Sequence, residues 1–328
     1  MLSYILRRIA LMVPTLIGMT LMLFATARFA PGVTTGGGEL GENAKQARQA
    51  LEQRMRERLH LDKPLVTQYG LWLWDSIRGN YGESIQYNRP VSELIKERLP
   101  ITITLNLISS IVVYLIAIPG GMLASIRRGK AFDVGWSLFT LALFSLPIIW
   151  VGDMLLAIFS NPESIFDWFP VSGSHATNTV WMTSVEYAKD FIWHITLPVI
   201  CLSYGSFAYL SKIQRAAMLD NLGLDYVRTA RAKGLPPRVV ITRHVFRNSL
   251  LPMITIFAGI LPSLLGGTVV VERIFSISGM GDLVVTATTA RDLPIVEGVT
   301  FIISVISLFS LLVADLCYMA ADPRVSFD

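Results

Sequence analysis

Charged residues are scarce in this sequence. Asp, Glu, Lys and Arg make up 16% of the 328 residues, whereas hydrophobic residues make up 52% and the mean hydropathy is +0.53. A soluble domain carries about 25% charged residues, so this chain has too few polar side chains to cover a soluble globule of its size. The composition excludes a disordered protein, a disulfide-rich secreted scaffold and an ordinary cytosolic enzyme, and it predicts a polytopic membrane protein.

Several chemical motifs are also absent. The two cysteines, Cys201 and Cys317, lie inside apolar runs, and there is no Cys-x-x-Cys or Cys/His pattern. The sequence therefore supports neither a disulfide framework nor a zinc site. It contains no Gly-x-x-x-x-Gly-Lys-Ser/Thr phosphate-binding loop and no His-Glu-x-x-His motif. We expect no catalytic residues, no metal and no nucleotide on this chain, and any coupled energy source must lie on another chain.

Six long apolar runs define the predicted architecture. A bilayer core about 30 Å thick requires roughly 20 apolar residues in a helix, and a helix satisfies its own backbone hydrogen bonds in lipid. We therefore predict an all-α polytopic membrane protein with six transmembrane helices. Pro147 and other prolines lie inside the runs, which membrane helices tolerate. The runs are Ile9–Phe29, Ile101–Ser125, Val134–Phe159, Phe191–Leu210, Ser249–Val271 and Gly298–Ala320.

The first run has an alternative interpretation as a secretory signal. Arg7 and Arg8 precede its apolar core, and Ala25-Thr26-Ala27 resembles a small-residue cleavage site. The apolar core of a signal is about 7–15 residues long, and this run is longer. We therefore favour a helix that remains in the membrane.

Lysine and arginine set the predicted orientation. They concentrate in the short connection 126–133 and in the loop 211–248, and the positive-inside rule places such segments in the cytoplasm. Both termini then lie in the cytoplasm, which agrees with an even number of spans.

The segment 31–98 is the longest external piece. Ala47, Leu51, Met55 and Leu59 recur every four residues among charges, which predicts a surface helix. We favour a small extracytoplasmic cap, and a docking surface for an external partner is the alternative. The predicted divisions are 1–30 (cytoplasmic N-terminus and first transmembrane helix), 31–98 (cap), 99–320 (membrane domain of five helices that contains the cytoplasmic loop 211–248) and 321–328 (cytoplasmic tail).

The loop 211–248 contains a short helix with a defined end. Tyr226–Lys233 is a good helix former, Gly234 is in position to end it, and Pro236-Pro237 prevents its continuation. Asp225 can cap or stabilise the N-terminal end. The small residues Thr229 and Ala230 suit close packing into another surface, so we favour a docking helix. The plainer alternative is a basic loop that only anchors the topology.

The segment Asp225–Leu235 reads Asp-Tyr-Val-Arg-Thr-Ala-Arg-Ala-Lys-Gly-Leu. It resembles the EAA coupling loop of binding-protein-dependent ABC importer permeases, and more narrowly the first (B-type) permease of the oligopeptide/dipeptide/nickel family. The matching pattern that follows is made by His244, Arg247, Asn248 and Pro252. Shorter similarities extend from Tyr4-Ile5-Leu6-Arg7-Arg8 to Asp322-Pro323-Arg324. The departures from the family pattern are Leu224, Ser278, Leu311 and Asp153.

This resemblance implies the transmembrane domain of a type I ABC importer in the cell inner membrane. The chain would form half of the translocation path for peptides or a related small solute, without being an enzyme itself. The implied partners are a second homologous permease, one or two ABC ATPase subunits that bind ATP and Mg, an extracytoplasmic solute-binding protein and membrane lipid, but no nucleic acid. The implied ATPase-coupling residues are Asp225, Tyr226, Arg228, Thr229, Ala230, Ala232, Lys233, Gly234 and Leu235.

Asp153 lies inside the third apolar run. An unpaired carboxylate in lipid is costly, so an intramembrane acid is a candidate functional residue. Contact with the solute or with the partner permease is one role. The alternative is an acid near the outer part of the span that is satisfied by water or a neighbouring donor.

Two other classes of function remain as alternatives. A stand-alone secondary transporter or channel would have inverted repeats and paired intramembrane charges, and neither is clear in the sequence. A membrane-embedded enzyme would need a cluster of nucleophile, base or metal ligands at membrane depth, and none stands out.

Overall fold

The computed structural model describes residues 2–29, 62–164, 166–176, 182–258 and 268–321. These residues form helices and loops without a β-sheet, and one isolated bridge joins Glu83 and Pro90. The helical elements are α1 (Leu2–Phe29), α2 (Leu65–Ile77), α3 (Val91–Ile126), α4 (Ala131–Ser145), α5 (Ile148–Phe159), α6 (Ser184–Leu222), α7 (Asp225–Ala232), α8 (Pro237–Val239), a π-helical turn (Val240–Phe246), α9 (Arg247–Ser249), α10 (Leu251–Ala258), α11 (Val269–Ile274), α12 (Met280–Thr289) and α13 (Leu293–Ala321).

Four helices in the described ranges, α1, α3, α6 and α13, are long and apolar enough to cross a membrane, and the bent pair of α4 and α5 is a fifth span if it crosses as one. These five match five of the six predicted apolar runs. The remaining run, Ser249–Val271, starts at the last residue of α9 and includes α10. Residues 259–267 of this run lie outside the described residues, as does the predicted surface helix at 47–59. The all-α class is confirmed.

The third predicted span is broken in the middle. A single helix over Val134–Phe159 was the expectation, and it is wrong, because α4 and α5 meet at an angle of 98°. Leu146 has an extended backbone (φ −81°, ψ 131°), and Pro147 precedes the first residue of α5. A proline ring disfavours helical backbone in the residue before it, so the helix ends there and restarts in a new direction.

One compact unit of the chain comprises residues 1–97 and 284–308. Within it α2 packs on α1, where the Tyr69 hydroxyl lies 2.8 Å from Thr20 Oγ1 and the Tyr69 ring meets Phe24 edge-on. Trp72 Nε1 donates a hydrogen bond of 2.9 Å to Glu297 Oε2 in α13. Aromatic packing and a few polar contacts therefore hold this unit together.

The segment that follows α2 in this unit is fixed by Asp292, which is fully buried. Asp292 Oδ2 accepts hydrogen bonds from Ser84 Oγ (2.6 Å) and from the Gln86 amide (3.0 Å). Nearby, a Cβ atom at Gly298 would lie 2.8 Å from the Cβ of Tyr81. Only a residue without a side chain allows this approach, so the loop is held closely against α13.

The second unit comprises residues 98–283 and 309–328. Its longest helix, α6, begins with a capping box formed by Thr183 and Glu186 and has 39 residues. At 1.5 Å per residue it is about 58 Å long, roughly twice the thickness of a bilayer core. Three buried apolar clusters lie along α6, around Cys201 and Phe275, around Phe207 and Met253, and around Met218 and Val227. The last of these clusters supports the candidate site.

A buried polar network joins α3 and α11 in the same unit. The Thr102 hydroxyl donates to Glu272 Oε1 (3.0 Å) and accepts from the Met280 amide (2.8 Å), while the Asp282 amide donates to Glu272 Oε2 (2.8 Å). A Cβ atom at Gly279 would lie 2.4 Å from the Glu272 carboxyl carbon. Glu272 thus organises the turn between α11 and α12.

Candidate functional site

The short helix predicted in the loop 211–248 is present as α7, one residue earlier than expected at each end. Leu224 occupies the N-cap position and contributes no side-chain hydrogen bond. Asp225 is the first helical residue, so it does not cap the helix, and its exposed carboxylate accepts from Arg228 at 3.3 Å. Its favourable effect on α7 comes from a negative charge near the positive end of the helix dipole.

The predicted end of the helix at Gly234 is confirmed in detail. Gly234 has φ +78°, a left-handed conformation that residues with a side chain rarely adopt. The Gly234 amide donates to the Arg231 carbonyl (2.9 Å) and the Leu235 amide to the Ala230 carbonyl (3.4 Å). These two bonds form a Schellman motif, which satisfies carbonyl groups that the end of a helix leaves free.

One face of α7 is buried inside its own chain. Val227 and Ala230 are buried together with Met218 of α6 and with Val240 and Val245 of the π-helical turn. The sequence suggested that Ala230 offers a small surface to another protein, but its methyl group faces inward. Burial of this face fixes the orientation of α7 on α6.

The opposite face of α7 is exposed to solvent. It carries Arg228, Thr229, Ala232 and Lys233, and the segment continues into the exposed Leu235. The Thr229 hydroxyl donates to the Asp225 carbonyl (3.0 Å) and so stays on the helix surface. The free face therefore combines small side chains with positive charge, which suits a groove that is lined partly by acidic or polar groups.

The residues of the second sequence pattern lie on one surface beside α7. A cavity of about 1000 Å³ is lined by residues of α6, α7, the π-helical turn and the helices after it. In its wall the Tyr226 hydroxyl donates to Asn221 Oδ1 at 2.7 Å. This cavity wall also includes His244, Arg247, Asn248 and Pro252.

An ion pair with a buried carboxylate, which the sequence did not reveal, anchors the C-terminal half of α6. Arg215 contacts the Asp133 carboxylate with Nε at 2.5 Å and with Nη2 at 2.8 Å, and the Gly129 amide donates to the same carboxylate at 2.9 Å. Asp133 is 3% exposed. The signal available in the sequence was an acid inside the basic connection 126–133. The pair ties α6 to the start of α4.

Asp153 lies on the exposed side of α5. Among the described residues it has no hydrogen-bond or ion-pair partner. Its neighbour Gly152 faces the other way and is buried, and a Cβ atom there would lie 2.9 Å from Ile274 Cδ1. The Asp153 side chain is thus accessible at the surface of the described residues.

Comparison with known proteins identifies the family to which these features belong. Residues 117–327 match the family described as "Binding-protein-dependent transport system inner membrane component". The chain belongs to this family. It is accordingly a multi-pass membrane component of a transport system, as its sequence predicted.

Similar proteins cover the chain from end to end. The oligopeptide transport system permease AppB of Bacillus subtilis is 37% identical over 100% of both chains. The peptidoglycan transport system permease YejB of Agrobacterium fabrum is 34% identical over 99% of this chain and 98% of its own length. The Di/tripeptide transport system permease DppB of Pseudomonas aeruginosa is 35% identical over 99% of both chains.

A solved structure supports the fold. An inward-facing structure of the MetNI methionine ABC transporter matches 70% of this chain and 96% of its own, with a TM-score of 0.52 and 14% identity. At this identity the likeness concerns the fold alone. The predicted fold, the transmembrane domain of a type I ABC importer, is confirmed.

Proposed function

We propose that this chain is one of two homologous permease subunits in an ATP-driven peptide importer. Three relatives whose similarity spans nearly the whole chain are named as permeases for oligopeptides, peptidoglycan and di/tripeptides. The other implied subunits are one or two ABC ATPases, which hold ATP and Mg, and an extracytoplasmic solute-binding protein. The observation that carries the proposal is the structure of α7, a helix with one buried face and one free face.

The free face of α7 is the proposed contact with the ATPase. Arg228, Thr229, Ala232 and Lys233 are exposed, and recognition of a short helix in a groove uses such a face. Tyr226 and Ala230 are instead the residues that hold α7 on its own chain, and Gly234 and Leu235 close its end. Within the predicted coupling set, contact and support are therefore separate roles.

The buried face of α7 provides a route for motion into the membrane. Val227 and Ala230 pack on Met218 of α6, and the Asp133–Arg215 pair attaches α6 to α4 further along. A displacement of α7 is thus transmitted to two helices that belong to candidate spans. ATP shifts the equilibrium between inward-facing and outward-facing states only if the ATP-bound ATPase interacts with α7 with a different free energy in the two states.

Asp153 is proposed to face the translocation path or the second permease. Its carboxylate is exposed on α5 and has no ion-pair partner among the described residues. An acid that faces lipid carries a free-energy cost of about 2.5–3.5 kcal/mol on insertion scales. A face that meets water or a polar subunit avoids this cost.

The proposed orientation places α7 and both termini in the cytoplasm, with the membrane domain of the chain in the inner membrane. The basis is the concentration of Lys and Arg in the segments 126–133 and 211–248.

Site-directed cross-linking tests the coupling proposal. In a variant without native cysteines, Thr229→Cys on the free face should cross-link to the ATPase when a short bifunctional thiol reagent is added to membranes. The matched control is Val185→Cys, which is also exposed but lies at the predicted external end of α6, and it should give no such product. A Thr229→Cys variant that cross-links only to lipid-embedded or external proteins would contradict the proposal.

A further inference from the structure

A second cavity lies inside the unit formed by residues 98–283, between α3, α6 and α10. Its volume is about 280 Å³, slightly below the 300–1,000 Å³ typical of small-molecule sites. No described lining residue carries a charge. The neutral polar groups of its lining include Asn106, Ser109, Ser110, Tyr114, Ser206 and Tyr209.

The polar lining residues of α3 occupy one face of that helix. In α3, Asn106 and Ser110 are separated by four residues and therefore point to the same side, whereas Leu107, Ile111 and Leu115 form a neighbouring exposed apolar face. In an otherwise apolar helix, such an arrangement indicates that one side contacts lipid or apolar protein and that the other side contacts polar groups.

One buried serine hydroxyl at this cavity has no partner among the described residues: Ser109 is 5% exposed, and its Oγ makes no hydrogen bond. The hydroxyls of Ser110, which is partly exposed, and of Ser206, which is exposed, also make no side-chain hydrogen bond to a described residue. Other hydroxyls in the same helices bond to the carbonyl one turn earlier: Thr104 to Pro100 (2.8 Å) and Ser203 to Val199 (2.6 Å).

The contrast matters because that local bond is the usual way in which a membrane helix satisfies a hydroxyl. A buried polar group without a partner is unfavourable, so the buried Ser109 hydroxyl indicates that another molecule supplies its partner. The accessible hydroxyls of Ser110 and Ser206 line the same cavity and are open to that molecule.

We propose that this cavity is a site at which the amide groups of a peptide form hydrogen bonds as the peptide crosses the membrane. A peptide bond offers one N–H donor and one carbonyl acceptor, and each serine hydroxyl both donates and accepts. The absence of charge allows a solute to leave again, since conduction requires binding that is favourable but weak. The inference rests on the proposed function, because it assumes that the cargo contains peptide bonds.

Cysteine accessibility in the complete transporter tests this assignment. In a variant without native cysteines, Ser206→Cys or Ser110→Cys should react with a charged, water-soluble methanethiosulfonate reagent at least ten times faster than the control Leu115→Cys, which lies on the exposed apolar face of α3. Loaded binding protein and a mixture of peptides from digested casein should slow the reaction. The same binding protein with free amino acids of equal composition should not.

Each outcome decides the proposal. Reaction as slow as at Leu115→Cys, with and without ATP, would show that the cavity is closed to water and would overturn it. Fast reaction that peptides do not slow would show that the cavity is filled with water but does not bind peptide, and this result would also overturn the proposal. If the unsubstituted complex failed to take up peptides with ATP, the proposed function itself would fail, so the two failures are distinguishable.

A second measurement removes the hydroxyls instead of labelling them. The double variant Ser110→Ala with Ser206→Ala should lower peptide uptake roughly five-fold or more, the effect of about one lost net hydrogen bond. The matched control is Ser145→Ala, whose hydroxyl already bonds to the Ala142 carbonyl (2.8 Å) on an exposed surface, and its uptake should equal that of the unsubstituted protein. Equal uptake in the double variant and the control would contradict the assignment.

Discussion

Single glycines in this chain decide how closely two helices approach each other. A Cβ atom at Gly120 would lie 2.1 Å from the Trp136 ring, and one at Gly121 would lie 2.6 Å from the Ser211 carbonyl oxygen. Trp136 in turn donates from Nε1 to the Ser211 hydroxyl at 2.7 Å. The consecutive glycines therefore allow α3 to contact α4 and α6 on adjacent sides.

Gly121→Ala should destabilise the protein, because the added methyl group meets the backbone of α6 and backbone cannot move aside cheaply. We expect a loss of about 1–3 kcal/mol, as for other overpacked sites, measured as a lower melting temperature of the purified complex in detergent. The control is Gly135→Ala in α4, where a Cβ atom has nothing within 4 Å. Equal melting temperatures for the two variants would disprove the close-contact explanation.

Asp133 and Arg215 are a residue-scale feature with consequences for the whole helix α6. Asp133→Asn leaves Arg215 facing a neutral amide in a nearly buried site. Removing one partner of a buried ion pair costs about 3–5 kcal/mol, and the partial exposure of Arg215 (29% of its side chain) places the expected loss near the lower end. Thermal denaturation of the purified complex measures the effect.

The control for this pair is Glu93→Gln, which removes an exposed partner of Arg89. Exposed pairs contribute about 0–1 kcal/mol, so its melting temperature should stay close to that of the unsubstituted protein. Restoration of part of the lost stability by adding Arg215→Gln to Asp133→Asn would support the pairing. A melting temperature unchanged by Asp133→Asn would count against it.

At the scale of elements, α7 depends on the left-handed backbone of Gly234. A Cβ atom at this position has nothing within 4 Å, so a substitution acts through φ and not through a clash. Gly234→Val should strain or unravel the end of α7, at a cost of about 1–3 kcal/mol. We expect ATP hydrolysis to continue while peptide uptake falls at least several-fold, with normal membrane insertion.

The matched variant is Gly234→Asn, because asparagine tolerates the left-handed region better than other residues with a side chain. It should retain most of the uptake. The ratio of ATP hydrolysed to peptide transported, measured in proteoliposomes, separates coupling from assembly. Unchanged uptake in Gly234→Val would argue against a coupling role for α7.

The elements differ in how well the sequence predicts them, and the reason is the range of the signals involved. Gly234 and Pro236-Pro237 mark the end of α7 within a few residues, so the helix could be predicted. The side of α7 that is buried could not, because it depends on Met218 and on the π-helical turn, which are distant in sequence or unusual in geometry.

Prolines also show that sequence signals alone do not determine where a helix ends. Pro14, Pro119 and Pro198 lie inside continuous helices, whereas Pro147 follows the break between α4 and α5. All four are prolines in apolar runs, so the residue type alone does not show which of them ends a helix. The hydroxyls at the second cavity could not be predicted for a related reason. The sequence does not distinguish a serine that hydrogen-bonds to its own helix from a serine that does not.

At the scale of the whole molecule, composition and apolar runs were sufficient to predict a helical membrane protein, and the ordered motifs were sufficient to predict the family. Neither source describes the assembly, because the surfaces that we propose as functional, the free face of α7 and Asp153, are exposed on this chain. The partners that we propose for them are separate chains, so the last prediction concerns the complex.

The assembled transporter should depend on ATP and not on an ion gradient. Purification of a tagged chain in mild detergent should recover a second permease and one or two ATPases. Peptide uptake should stop when ATP is depleted with the membrane potential maintained, and it should continue when a protonophore collapses the gradient while ATP is maintained. The reverse pattern, in which uptake follows the gradient and the chain purifies alone, would favour a stand-alone secondary transporter or channel. Such a protein draws its energy from the gradient and needs no helix that binds an ATPase subunit.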